Sequence, residues 1–501
     1  MEDNKNGILA DVLYYGGIFI VLLICYFIRK KLAGPGGNNK SFYYLKHYRH
    51  GIIFYNERKL EEAIDHFNIA LENALNDKER QDCYSMIAVI FCEGQIYNEA
   101  LKFATMSLLL NERSNDVCFE VRSKCYEENR QYKEALRDIS VADEIRTNKS
   151  DDKANKKFAE KTNNLIHKYT ESRTISHLMK NRLTPSKSKC SDFFKTFVGI
   201  IPSGEKQPDD IAYLIENNKF EELYEKFLGS NSAAEKEKFN EKHSSNGLFT
   251  YNLILCSIRY LCGNFEECMR ILKNPQTDLE TIFISYINAK NQKYNAPKDL
   301  LIRFSLLVNT DNPTVKFWLA KFYREIGNST VYHELINSLS EYAFAYADIL
   351  DFFIKNDDLR KIKEYEKESL TKFGSDNIII YKLWEYYYIK RDRESLKEII
   401  DKLDMNDSRS LYMKGLYCGL IKDSEQQNSL LKEALEKDPK YYEVLVHLGK
   451  QYRISDRKKY KEYFEKAIGV ASCRREVYTC FEDLIMMDNR EYVKNTLEHM
   501  R

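Results

Sequence analysis

Small and large apolar residues recur at a fixed spacing along this chain, and that recurrence limits its possible folds more than any other feature. In GIIFYNERKLEEAIDHFNIAL, the residues Gly51, Phe54, Ala63, Phe67 and Ala70 lie along two amphipathic helical stretches joined by a short polar turn. The pattern returns with Ala88, Phe91 and Ala100, then with Ser123, Tyr126, Ala135 and Ala142. Ala63, Ala100 and Ala135 are 37 and 35 residues apart. Small side chains suit the place where two helices cross at close range, and large ones fill the gap toward the next pair.

These residues fall at positions 8, 11, 20, 24 and 27 of the tetratricopeptide repeat and define a three-repeat block over residues 42–145. Near the C-terminus, Gly415 and Gly449 are separated by 34 residues, with Leu431, Ala434 and Pro439 at positions 24, 27 and 32 of the first repeat. Leu448, Tyr452, Phe464 and Ala467 continue the series. Between 250 and 400 the register loosens, yet YLCGNFEECMRIL, FWLAKFYREIG and LWEYYYIKRDRESLKEII keep the amphipathic period and read as degenerate repeats of a larger lobe, 206–501. With 8 Pro, 19 Gly and 36 Tyr, the chain is poor in breakers and rich in aromatic residues at helical spacing. The expected class is all-α, a two-lobed repeat superhelix behind an N-terminal transmembrane helix.

That helix is expected at 12–28, seventeen uncharged residues that would span about 25 Å. It ends at Arg29, Lys30 and Lys31, before the breaker run Gly34-Pro35-Gly36-Gly37 in a 29–41 linker. Residues 1–11 carry Glu2, Asp3 and Asp11 against Lys5, the wrong balance for a cleaved export signal. The basic excess after the span places 1–11 on the far side of the membrane and the bulk of the chain in the cytosol. The twelve cysteines, without a CxxC pair, read as reduced thiols packed as small apolar groups. Residues 146–205 interrupt the repeats with a basic, polar stretch read as a linker.

No catalytic constellation emerges, so the chain reads as a binding protein and not an enzyme, with no cofactor. A net charge of +1 gives no reason to expect nucleic acid as a partner. GPGGNNKS, Gly34 to Ser41, lacks the second glycine of a phosphate loop and follows an apolar helix instead of a strand. His47 and His50 lie one turn apart without a carboxylate or thiolate cluster beside them in sequence, and read as ordinary helix histidines.

Anchor, three-repeat block, linker and larger repeat lobe, in that order, resemble the seventy-kilodalton tetratricopeptide receptors of the mitochondrial outer-membrane translocase. The most specific likeness is LTPSKSKCSDFFKTF, where Pro185, Ser186, Phe193, Phe194 and Phe197 keep the family's spacing, with Thr184 inserted. The resemblance implies a receptor of the mitochondrial outer membrane, or of a mitochondrion-derived organelle, that binds precursor polypeptides and passes them to the import channel. An endoplasmic-reticulum co-chaperone or translocon accessory, or a tether between organelles, would share the repeat architecture.

In that family the first block docks acidic chaperone tails through lysine, asparagine and arginine at repeat positions 5 and 9, then 6, then 2 and 6. Here these positions hold Tyr48 and Ile52, Met86, and Val117 and Val121. A carboxylate placed against Ile52, Met86, Val117 and Val121 would lose water and gain no donor, so tight chaperone docking is not expected. Lys46, Arg49 and Arg122 are the nearby basic residues. Precursor-binding candidates in the larger lobe are Trp384, Tyr387, Tyr412, Leu416 and Val446.

Overall fold

A computed structural model of the chain describes residues 38–111, 115–147, 152–181, 183, 250–291, 296–374 and 376–500. The expected anchor 12–28 and the linker motif Pro185, Ser186, Phe193, Phe194 and Phe197 lie outside the described residues. Among those described there are 22 helices and no strand, and no helix is long and apolar enough to cross a membrane. The ten described cysteines are thiols, nine of them buried.

The first compact unit holds the described residues up to Ser172 together with those from Ile485 onward. Its helices pair as α1 (Asn38–Asn56) with α2 (Leu60–Glu72), α3 (Asp77–Glu93) with α4 (Tyr97–Leu110), and α5 (Asp116–Glu128) with α6 (Tyr132–Thr147). Ala63, Phe67, Ala88, Ala100, Ala135 and Ala142, all repeat-position residues, are 0% exposed, as close helix crossing requires.

Each pair turns on one residue in the left-handed conformation: Arg58, Gln95 and Arg130, with φ of 63°, 61° and 58°. The next backbone N–H then reaches back to close the first helix, as from Lys59 to the Phe54 carbonyl, Ile96 to Phe91 and Gln131 to Tyr126, at 2.8–2.9 Å. These bonds satisfy carbonyls that a helix end would otherwise leave unpaired.

The segment read as a linker contains a 29-residue helix, α7 (Asp152–Lys180). Its polar surface hides a sparse apolar stripe: Phe158 and Leu165, seven residues apart, are 2% and 3% exposed. The last residues of the chain belong to this first unit, where Asn489 donates to the Ser140 hydroxyl at 2.8 Å and Arg137 lies 4.5 Å over the Tyr492 ring.

The second unit, residues 173–484, repeats the same device. Its pairs include α8 (Tyr251–Leu261) with α9 (Phe265–Ile271), α12 (Pro313–Glu325) with α13 (Ser329–Asn337), α14 (Ala343–Lys355) with α15 (Leu359–Phe373), and α16 (Asn377–Lys390) with α17 (Arg393–Ile400). Then come α18 (Ser408–Leu420) with α19 (Ser424–Lys437), and α20 (Tyr442–Gln451) with α21 (Arg457–Val470). Gly263, Gly327, Asp357, Arg391 and Lys422 hold the left-handed turn positions. The residues that follow them, Asn264, Asn328, Asp358, Asp392 and Asp423, accept the first free N–H groups of the second helix. α10 (Asp278–Asn291), α11 (Lys298–Leu307) and the long terminal α22 (Arg474–Met500) complete the described helices.

Candidate binding surfaces

In the first unit, α1, α3 and α5 bring Tyr48, Met86 and Val117 to one small pocket of about 210 Å³, together with Lys78, Gln81, Asp82, Ser85 and Asn115. Ile52 and Val121 lie outside that lining. Ile52 packs against the core around Ala63 and Phe67, and Val121 is buried in the wall of a larger groove. Sequence register thus brings three of the five expected residues to one place.

The floor of the pocket is polar but already bonded. Asn115, the N-cap of α5, donates to Ser107 at 2.6 Å and Ser85 at 3.2 Å, while Gln81 donates to the Asn111 carbonyl at 2.6 Å. Ser107 donates to the Gln81 carbonyl at 3.1 Å and the Cys118 thiol reaches Ser85 at 3.2 Å. The pocket's one lysine, Lys78, is 2.9 Å from Asp82. Burial pushes the Tyr48 phenol up to about 12, and the Asp82 carboxylate adds to the shift. An incoming carboxylate therefore meets Asp82 and a floor in which the Gln81, Ser85 and Asn115 side chains already donate to other groups.

Arg122 does not face this pocket as a spare cation. It forks onto Asp138 of α6 at 2.6 and 2.8 Å, and the Asp138 side chain is 3% exposed. Lys46 and Arg49 are exposed and line neither the pocket nor the groove.

The larger groove, of about 730 Å³, runs along α3, α5 and α7. Val89, Val117, Val121, Ile139 and Leu165 give it an apolar lining, and Glu93, Glu120, Glu127 and Glu128 stand along it. Lys161 and Lys168 of α7 each reach a glutamate of α5, Glu120 and Glu127, at 2.5 Å.

His66 of α2 joins His47 and His50. Its Nδ1 is 2.9 Å from Nδ1 of His47, its ring centroid is 5.3 Å from that of His50, and it stacks on Phe54. Burial, then His66, Lys46 and His50, lower the His47 imidazole below its ordinary value. Among the described residues no group of three or more His, Cys, Asp or Glu is placed to hold a metal ion.

In the second unit, Trp384, Tyr387 and Leu416 are 4%, 2% and 8% exposed and share one core with Ile380 and Leu383. Tyr387 accepts from Lys363 and donates to Glu366, both at 2.6 Å. Trp384 stacks on Tyr388 with centroids 4.6 Å apart, and its indole N–H has no hydrogen-bond partner among the described residues. Tyr412 is half-buried beside Tyr441 and His447, and Val446 is half-exposed.

What sequence reasoning missed is a ladder of ion pairs crossing the first helices of four successive pairs. Lys321 and Arg324 of α12 reach Asp348 of α14 at 2.7 and 2.9 Å, and Arg324 also lies 3.7 Å from Asp351. Lys382 of α16 joins Asp351 at 3.7 Å to Glu385 at 3.2 Å, and Arg409 of α18 meets Glu385 at 3.2 Å. The Arg409 guanidinium also lies 4.1 Å over the Tyr381 ring. Burial pushes the Asp348 carboxyl up, but Lys321, Arg324 and the Tyr332 hydroxyl, which donates at 3.0 Å, outweigh it and hold the group below its usual value. Asp348 and Asp351 lie three residues apart on one helix face, but their ion-pair partners on neighbouring helices are 24 to 31 positions away and leave no local pattern.

Stacked antiparallel helix pairs of the tetratricopeptide type, with long side-chain walls and no catalytic cluster among the described residues, define a helical-repeat fold compatible with a protein-binding scaffold. No protein-family model and no curated protein matches the chain. Among solved structures the chain is similar to yeast Tom70, at 16% identity and a TM-score of 0.46, covering 90% of this chain and 97% of that one. It is also similar to the Cut9–Hcn1 hetero-tetramer of the APC/C, at 11% identity and a TM-score of 0.22, covering 89% and 96%. A third similarity is to Naa15/Naa10 bound to HypK-THB, at 16% identity and a TM-score of 0.22, covering 85% and 63%.

Proposed function

We propose that this chain is a membrane-anchored receptor that holds precursor polypeptides on its repeat walls and hands them to an import channel of the mitochondrial outer membrane, or of a mitochondrion-derived organelle. The observation that carries the reading is the order along the chain: an uncharged run at 12–28, a basic stretch, a three-repeat block, the Pro185 to Phe197 motif, and a larger repeat lobe. The anchor concentrates the binding walls at one membrane, which compensates for weak and tolerant contacts with each guest. Half-exposed ladder residues such as Lys382 and Glu385, at 35% and 43% side-chain exposure, offer partners for a guest's backbone and charged groups. Chaperone tails are not part of this reading, because the pocket that brings Tyr48, Met86 and Val117 together, at positions where the resemblance implies clamp residues, holds Asp82 instead of a spare cation.

A fusion of residues 1–41 to a fluorescent protein tests the location. Labelling of the mitochondrial surface supports the reading. A reticular pattern transfers the protein to the endoplasmic reticulum, as a co-chaperone or translocon accessory, and overturns it. Loss of precursor import on depletion, with assembled organelles otherwise intact, tests the receptor role.

A further inference from the structure

We infer that the second unit rests one edge on an anionic lipid surface, through the turns that join the helices of its last four pairs. Each of these turns holds one large aliphatic side chain out in solvent: Leu359 at α14–α15, Ile389 at α16–α17, Ile421 at α18–α19 and Ile454 at α20–α21, at 59%, 73%, 44% and 96% exposure. One exposed aliphatic is ordinary for a protein surface. Four of them, 30, 32 and 33 residues apart, follow the period of the helix pairs and belong to one edge. Lys390 reaches Asp357 at 2.6 Å and sets the first two turns side by side. Arg409 with Glu385, and the Tyr412 ring 5.4 Å from that of Tyr441, stack the following pairs behind them. At about 8–10 Å between packed helices, the four tips line up over roughly 30 Å.

The charges beside the tips select the partner. Over 357–361, 389–394, 421–425 and 453–459 the sequence holds ten Lys and Arg against seven Asp and Glu. Four of the seven, Asp358, Asp392, Asp423 and Asp456, bond to backbone N–H groups at helix starts, whose partial positive charge offsets them. The excess gathers at the most exposed tip, where Arg453, Arg457, Lys458 and Lys459 flank Ile454 against Asp456 alone in that stretch. Separate aliphatic tips with cations beside them suit a fluid interface. The aliphatic end enters between headgroups, and the long basic side chains extend to the phosphates. A protein partner would instead ask for a packed, aromatic-centred anchor, and these tips are lone aliphatics. The inference is independent of how the unit binds precursors and of which membrane holds the chain.

The test places the full chain in vesicles of phosphatidylcholine with about one-third phosphatidylserine, part of the latter carrying a photoactivatable diazirine on its acyl chain. After illumination, lipid adducts are mapped to peptides by mass spectrometry, and those within 1–41 are counted apart from those at the four turns. The expected result is adducts on the turn peptides at least fivefold above the rest of the second unit, falling at least fivefold in vesicles of phosphatidylcholine alone with the probe on that lipid. The Leu359→Ser/Ile389→Ser/Ile421→Ser/Ile454→Ser variant, which alters exposed residues and should melt at an unchanged temperature, is expected to lose at least fivefold of the turn adducts and keep those within 1–41. Adducts confined to 1–41, an even spread over the second unit, an equal yield without phosphatidylserine, or an undiminished yield from the variant overturns the inference. Turn adducts without any within 1–41 would support the inference and count against the anchor, so the two readings fail separately.

Discussion

Gly51 and Phe67 meet where the first two helices cross: a Cβ on Gly51 would lie 2.9 Å from the Phe67 ring. The same relationship recurs at Gly449 with Phe464, at 2.8 Å, and more loosely at Gly415 with Leu431, at 3.3 Å. In each, the absence of a side chain on the first helix admits a large one from the second, 16 residues on for Phe67 and Leu431 and 15 for Phe464.

Adding that methyl group should be graded in its cost. Gly51→Ala and Gly449→Ala gain about 0.5–1 kcal/mol of helix propensity but force an aromatic ring to move, at a cost of about 1–3 kcal/mol. Net destabilisation is expected for both, while Gly415→Ala, facing a flexible leucine, should lie within about 1 kcal/mol of neutral. Urea unfolding of the three variants checks the order.

Removing Asp348 should be among the most costly single changes in the second unit. Asp348→Asn leaves Lys321 and Arg324, with side chains 17% and 13% exposed, facing each other without their carboxylate. The expected loss is about 3–5 kcal/mol. Because the folded-state pKa is depressed, this contribution is complete above the ordinary carboxylate value of 3.8 and is lost as pH falls through the depressed one. Unfolding curves of wild type and variant should converge in strong acid.

Arg122→Ala is expected to act on folding before it acts on any ligand. It strips Asp138 of its guanidinium fork and should cost about 3 kcal/mol. Pairing it with Asp138→Leu should recover at least half of that, as a double-mutant cycle would show. A cycle without coupling would mean that the pair contributes no stability.

The histidine contact makes the first helix pair acid-sensitive. His47 titrates below 6.5 in the folded state, so folding is favoured fully above that value and progressively less as pH drops from 6.5 toward the lowered one. Amide exchange in α1 and α2, corrected for intrinsic rates, should accelerate from pH 7 to pH 5. His66→Gln, which removes the facing imidazole, should reduce the effect.

The architecture of the first unit was legible because Ala63, Phe67, Ala100 and Ala135 do the packing that their spacing implies. In the second unit a different signal carried the register. Gly263-Asn264, Gly327-Asn328, Asp357-Asp358, Arg391-Asp392 and Lys422-Asp423 each place a left-handed residue before a capping side chain, and the last four recur at 30, 34 and 31 residues. Reading turns as well as cores would have ordered the stretch between 250 and 400. α7 escaped notice because Phe158 and Leu165 are two apolar contacts in a basic helix, too sparse to register as a period. The candidate site was half legible: Tyr48, Met86 and Val117 converge as their register implies, whereas the partner of Arg122 and the ladder from Lys321 to Arg409 depend on residues brought together only by stacking.

The most direct test of the receptor reading is site-specific crosslinking of the membrane-bound protein during precursor import, with a photoreactive residue at Val117 in one experiment and at Val446 in another. The account predicts adducts with several incoming precursors that disappear when import is chased to completion. A single folded partner captured at all times, with no dependence on precursor, would contradict it and make the chain a tether.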